Sequence, residues 1–226
     1  LIIQDFHERA NGGGMENFKN LRVVELLSSR ICHDLISPVS AINNGLEFLD
    51  PAEIDLFQTS LKLVKSSALQ ALERLSFFRL MLGTGGDNDY FAKDQIYAAL
   101  QSYLGDRRIN LESSKARPKY GMELPRHAAK AVMFGVLVMA DCLPRGGIIQ
   151  LSSANWITLE GTRIIAQGDP CRLRQDVKSG LNIQIDQADL TVRNVIAYMA
   201  AMFFDHLNRT LKLKQIAETE IELSAI

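Results

Sequence analysis

The chain has no apolar run approaching the roughly 18 residues that a bilayer-spanning helix needs, and its N-terminus lacks the basic-then-apolar order of a secretion signal. Neither a membrane span nor export is expected. An excess of charge is missing too: 25 Lys and Arg stand against 26 Asp and Glu, the net charge is −1, and no long basic run occurs. That removes the electrostatic footprint of a protein that binds nucleic acid or acidic membranes. Cysteine is scarce. Cys32, Cys142 and Cys171 lie far apart with no C-x-x-C pair, which excludes a disulfide frame or cysteine-rich zinc site and points to reduced thiols in the cytoplasm.

What is present is enough apolar material for a core, 47% of 226 residues, organised as one large domain or two small ones. Residues 1–15, which include Gly12-Gly13-Gly14, are expected to form a flexible arm or a non-native remnant. Beyond them, Ser28, Cys32, Leu35, Val39, Ile42, Leu46 and Leu49 recur in steps of three and four, and Val24, Leu27 and Ile31 add a second stripe. This predicts one long helix over about 17–49. Asp50-Pro51-Ala52-Glu53 then supplies an N-cap acid, a first-turn proline and a capping-box glutamate, so a second helix is expected to start at once. Its series is Ile54, Phe57, Leu61, Val64, Ala68, Ala71, Leu75, Phe78 and Leu82, the strongest periodic signal in the sequence. Two helices with so short a connection make an antiparallel hairpin. Leu56, Leu63, Leu69 and Leu72 fall outside the main seam and leave more apolar surface than one partner helix covers, which a dimeric four-helix bundle would bury; packing on the rest of the same chain is the alternative.

The domain boundaries that follow are 16–83 for the helical hairpin, 84–90 for a Gly- and Asp-rich linker, and 91–226 for a mixed α and β domain. In the latter, helices are expected near 93–104, 125–142 and 189–207. Strands are expected near 108–112, 148–151, 156–159, 163–166, 211–216 and 220–223. The class is α+β: a hairpin followed by a two-layer α/β sandwich with helices on one side of a mostly antiparallel sheet.

The first helix carries His33-Asp34-Leu35-Ile36-Ser37-Pro38-Val39-Ser40-Ala41-Ile42. His33 stands one position past the seam at Cys32, on the shoulder of a bundle, where an incoming protein can reach it. An imidazole, with a reference pKa of about 6.5, is largely neutral and nucleophilic at pH 7, as attack at phosphorus requires. Pro38 has no N–H, so the Asp34 carbonyl loses its helical partner and the helix is expected to bend beside the histidine. The bland alternative is an amphipathic helix with a solvated histidine and an incidental proline. Arg30, Ser37, Pro38, Ser40 and Asn44 lie near His33 on adjoining faces and are candidates for contact with a docked partner. Glu73 and Arg74 read as a solvated face, Trp156 as core, and His7, His127 and His206 as surface or satisfied core residues with no ligand-like spacing.

This segment resembles the H-box of sensor histidine kinases, in which a phospho-accepting histidine precedes an acid and, five residues on, a proline. The resemblance implies that His33 is the phospho-acceptor and that Asp34 holds the other imidazole nitrogen. Spacing alone does not give that pairing, since adjacent helical residues do not face each other. The second domain resembles the kinases' ATP-binding (Bergerat) domain, with Pro144-Arg145-Gly146-Gly147-Ile148 matching its Pro-x-Gly-Gly turn and strand. The magnesium-holding asparagine of that domain falls on Val138, and the segment 163–171 lacks the glycines of the D-x-G-x-G box. A retained fold with a lost nucleotide site resembles the ChpT-type histidine phosphotransferases of alphaproteobacteria, over about residues 21–226, with 166–180 in place of a nucleotide loop.

The resemblance implies a homodimer that relays a phosphoryl group between aspartates of response-regulator receiver domains, including that of a hybrid kinase. It implies no cofactor on this chain, with Mg²⁺ in the partner receiver. An ATP-dependent histidine kinase fragment remains the alternative, as does a receiver-docking scaffold or phosphatase using Ser37.

Overall fold

A computed structural model describes residues 2–49, 53–83, 89–113 and 121–226 of the chain. The N-terminal part is a pair of antiparallel helices, α1 (Ile2–Glu47) and α2 (Ile54–Leu82). The helical backbone of α1 begins at Ile2, so residues 2–15 continue the helix instead of forming the arm expected from the glycine triplet. Once a helix is running, each further residue adds a hydrogen bond for one pair of dihedrals fixed, and glycine weakens this without forbidding it. The Asp50-Pro51-Ala52 turn, and the linker apart from Asp89 and Tyr90, lie outside the described residues.

Small residues set the contact between α1 and α2. A Cβ added at Gly45 would stand 2.7 Å from Cγ2 of Val64, and Ser60, Ser67 and Ala71 are buried. The apolar series on α2 therefore divides. Ala71 and Phe78 face inward, whereas Ile54, Leu61 and Leu75 keep 68%, 49% and 51% of their surface exposed. Leu56, Leu63, Leu69 and Leu72 are exposed as well, together with Val39 and Leu46 on α1 and Phe48 just past its end. Both helices thus carry apolar surface that this chain does not cover.

The rest of the chain runs β1 (Tyr90–Ala92), α3 (Lys93–Gly105), β2 (Ile109–Ser113), β3 (Glu123–Pro125), α4 (Arg126–Ala140), β4 (Gly147–Ser152), β5 (Arg163–Gln167), α5 (Gln175–Gly180), α6 (Val195–His206), β6 (Leu211–Ala217) and β7 (Glu220–Ala225). The main sheet has the order β2-β4-β5-β7-β6, with β2 and β4 parallel and the other neighbours antiparallel. A small β1-β3 pair stands apart. Ile149, Leu151, Ile164, Ala166, Ile221 and Leu223 line the buried face. Helix α4 lies so close to that face that a Cβ at Gly135 would come within 2.7 Å of Cδ1 of Ile164. The turn into β4 needs glycine at Gly146, which has φ +89° and whose Cβ would meet the Arg108 carbonyl oxygen at 2.4 Å.

Two expectations fail locally. Trp156 to Leu159 is a turn, because Oδ1 of Asn155 accepts the backbone N–H groups of Ile157 (2.9 Å) and Thr158 (3.3 Å), which replaces a strand ladder. Helix α6 starts at Val195, after a 3-10 turn at Gln187–Asp189 and a loop in which Asn194 Oδ1 accepts from Thr191 N–H and Nδ2 donates to the Asp189 carbonyl. Trp156 is buried as expected. Among the described residues no helix is long and apolar enough to cross a membrane.

One core runs through both parts: Leu26 of α1 and Phe77, Phe78 and Met81 of α2 belong to the same buried cluster as the sheet and α4. The hairpin's lower end is thereby fixed to the second domain. Lys93 is a costly member of this region. Its Nζ is buried without a hydrogen-bond partner and sits 3.7 Å above the Trp156 ring. Burial, against a smaller opposing effect of Asp94, brings its pKa down from 10.5 to about 8. Below pH 8 the folded and unfolded chains both hold this proton and the full cost is present; as pH rises from 8 to 10.5 the cost fades. Lys93→Met should therefore raise stability near pH 7 by about 1–3 kcal/mol in urea unfolding, with a smaller gain at pH 10. A variant less stable than wild type at pH 7 would mean that the contact with Trp156 outweighs the desolvation.

Candidate functional site

His33 lies on the outer face of α1 with 83% of its side chain exposed. Asp34, next to it, points the other way into the junction with the second domain and is only 17% exposed. Its two oxygens have different surroundings. Oδ2 accepts a hydrogen bond from the Tyr103 hydroxyl at 3.0 Å and faces Nε of Arg30 at 3.5 Å. Oδ1 stands 3.4 Å from Nδ1 of His33. That last contact is long, as hydrogen bonds of a resting site often are before a partner arrives.

Behind Asp34 the charges continue across the junction. Arg30 reaches from Asp34 to Asp141, just past the end of α4, with Nη2 at 3.2 Å from Oδ1. Arg107 donates to the same Asp141 oxygen at 2.9 Å and to the Ala140 carbonyl at 3.2 Å. Asp141 is 8% exposed, and two guanidinium groups compensate its buried charge. Burial works against the charge on Arg30, but Asp141 and Asp34 outweigh it and hold its pKa above the ordinary value. Tyr103 is pushed up as well, first by burial and then by the Asp34 charge, so its hydroxyl stays protonated as a donor.

Pro38 produces the vacancy the sequence implies, and a residue read as solvated fills it. Without an N–H at Pro38 the Asp34 carbonyl has no helical donor, and Nη1 of Arg74, from α2, donates to it. Nε of Arg74 faces Oδ2 of Asp106 at 3.5 Å, and the side chain is only 17% exposed. The reading of Arg74 as a solvated face is thus wrong, while Glu73 is exposed. No periodicity marks such a residue, because its partner is a main-chain atom forty positions away. Arg30, Asp34, Arg74, Tyr103 and Arg107 line a cleft of about 200 Å³ beside the histidine.

The other candidates divide. Ser37, Ser40 and Asn44 are exposed on α1 and available to a partner. Arg30 is committed to Asp34 and Asp141, and Pro38 is buried, so neither offers a free surface group. His127 and His206 have ring centroids 4.4 Å apart, a meeting of α4 and α6 that helical spacing did not reveal. Burial first, and then the His206 neighbour, lower the His127 pKa. No group of three potential metal ligands occurs among the described residues. Val138 is 1% exposed inside α4, a buried apolar side chain with no metal-ligating atom.

Residues 93–219 match the family model of the histidine phosphotransferase C-terminal domain. The protein phosphotransferase ChpT of Brucella abortus (strain 2308) is 38% identical over 130 residues, which is 54% of this chain and 56% of that protein. The match therefore spans little more than half the length of that relative. A solved bacterial phosphotransferase superposes with a TM-score of 0.74 at 26% identity, covering 91% of this chain and 96% of the other. The Acinetobacter baumannii histidine kinase AdeS covers 85% of this chain and 96% of its own at 14% identity, with a TM-score of only 0.39.

The Arg74 contact is open to a direct test. Arg74→Met keeps the length of the side chain and removes the donor, so the Asp34 carbonyl is left without a protein partner. Urea unfolding should show a loss of about 1–3 kcal/mol, with faster amide exchange around residues 34–39. A loss below about 0.5 kcal/mol would mean that water serves the carbonyl equally well.

Proposed function

Because the chain belongs to the histidine phosphotransferase family, we propose that it relays a phosphoryl group through His33 between aspartates of response-regulator receiver domains. The observation that carries this reading is the His33 side chain, 83% exposed on a bundle helix, with Nδ1 turned toward Asp34 and Nε2 left for an incoming group. In the step, the Nε2 lone pair attacks phosphorus of a receiver aspartyl phosphate. A P–N bond forms, the P–O bond breaks, and its electron pair stays on the receiver carboxylate. The imidazole keeps its Nδ1 proton and becomes cationic, so the negative Asp34 stabilises what forms. The receiver's own Mg²⁺ supplies the charge neutralisation at phosphorus, and this chain need present only one aligned imidazole. A buried Val138 where a kinase holds its metal-binding asparagine favours transfer over ATP-dependent autophosphorylation.

The chain's partners on this reading are receiver domains, including that of a hybrid kinase, and a second copy of itself. The uncovered Ile54, Leu61, Leu72 and Leu75 on α2, together with the exposed Val39 and Leu46 on α1, support a four-helix bundle of two chains. Leu75→Glu should then convert a dimer to a monomer in sedimentation, since the seam would desolvate an unpaired charge, while the fold persists. Phe78 is no substitute in this test: it is 5% exposed and packs edge-on against Tyr103, so a charge there strikes the chain's own core. A wild-type monomer at micromolar concentration contradicts the dimer.

Phosphate transfer is tested by incubating the protein with a phosphorylated receiver and following acid-labile, base-stable label on this chain. His33→Ala should abolish uptake yet change stability by only about 0.5 kcal/mol, as exposed substitutions do. Asp34→Ala should slow transfer without abolishing it. Label on His33→Ala would refute the phospho-carrier assignment, and loss of receiver phosphate with none on wild type would indicate a phosphatase.

A further inference from the structure

We propose that Tyr103, from the second domain, is a positioning residue for the His33 site: its hydroxyl holds Oδ2 of Asp34 so that Oδ1 faces the imidazole. The inference rests on His33 as phospho-carrier and deepens that reading, since it gives the second domain a part in the transfer. Neighbours in sequence on a helix do not face each other, so a carboxylate at 34 has to be turned toward its neighbour by something else. The donors at Oδ2 do this. Tyr103 makes the shorter contact, 3.0 Å against 3.5 Å for Arg30.

The phenol is itself fixed. Tyr103 is 5% exposed, its ring stacks on Phe77 with centroids 4.2 Å apart and 22° between planes, and Phe78 meets it edge-on at 5.7 Å. A ring clamped by two aromatics of α2 cannot follow Asp34 if that side chain swings, so the hydroxyl defines where Oδ2 must sit. Burial and the Asp34 charge also keep the phenol protonated, as a donor must be. With Oδ2 held, Oδ1 accepts from Nδ1–H, which sets the neutral imidazole as the Nδ1–H tautomer and leaves the Nε2 lone pair for phosphorus. Tyr103 touches no reacting atom and acts through Asp34.

Tyr103→Phe removes the hydroxyl and keeps the stacked ring. In single-turnover transfer from a phosphorylated receiver, the rate at saturating receiver should fall roughly tenfold while the receiver concentration giving half-maximal rate stays within about twofold. Nitrogen NMR of His33 should show a smaller share of the Nδ1–H tautomer. In an Asp34→Ala background the Tyr103→Phe change should have no further effect, because the residue through which it acts is gone. Incorporating 4-aminophenylalanine at position 103 restores a donor and should recover most of the rate.

Wild-type rate and tautomer in Tyr103→Phe, with label still landing on His33, overturn this inference and leave the proposed function standing. So does a loss that appears as weaker receiver binding, a loss additive with Asp34→Ala, or a loss that the amino analogue does not recover. If wild type carries no label on His33, the proposed function fails and this inference with it.

Discussion

A carboxylate that leaves water at a domain junction must be compensated, and the compensation of Asp34 draws together the rest of the site. One oxygen takes donors from Tyr103 and Arg30, the other faces His33, and the main-chain carbonyl takes Arg74. Each donor comes from a different place: α3 in the second domain, the preceding turn of α1, and α2. Without Asp34 the tyrosine would bury an idle hydroxyl and Arg30 would lose one of its two carboxylates. Through Tyr103 the second domain thus reaches the carboxylate that stands next to the histidine.

The helix geometry explains why the proline sits where it does. Pro38 frees the carbonyl of the very residue whose side chain anchors the junction, so α2 and the second domain both grip α1 at Asp34, one by main chain and one by side chain. Phe77 and Phe78 extend the same contact into the core by packing on Tyr103. The histidine is thereby mounted on a stretch of helix fixed from two sides while its own ring remains in solvent. Precise presentation of one exposed group is what a transfer between two proteins requires.

How much of this the sequence discloses depends on the range of each signal. The hairpin, the α+β class, most elements of the second domain and the candidate His33 are legible because they rest on local periodicity, turn residues or a short motif. Partition of the α2 series into an inward and an outward face was not legible, since the inward face is completed by Gly45, Ser60 and Ser67, residues that carry no hydrophobic signal. The Trp156 segment has strand composition, and a single Asn155 side chain overrides it. Arg74, Tyr103, Arg107 and Asp141 were invisible for a different reason: their roles arise from contacts across tens of residues, and nothing nearby in the chain marks them. Arg30 was found for its place near His33, but it faces inward to two aspartates.

If Asp34 fixes Nδ1 of His33, as proposed, the phosphoryl group goes to Nε2. Phosphorus–nitrogen correlation NMR on protein labelled with nitrogen-15 histidine and phosphorylated by a receiver domain should then show a single phosphorus resonance coupled to Nε2 of His33. Coupling to Nδ1, or phosphate on any other residue, would contradict the proposal.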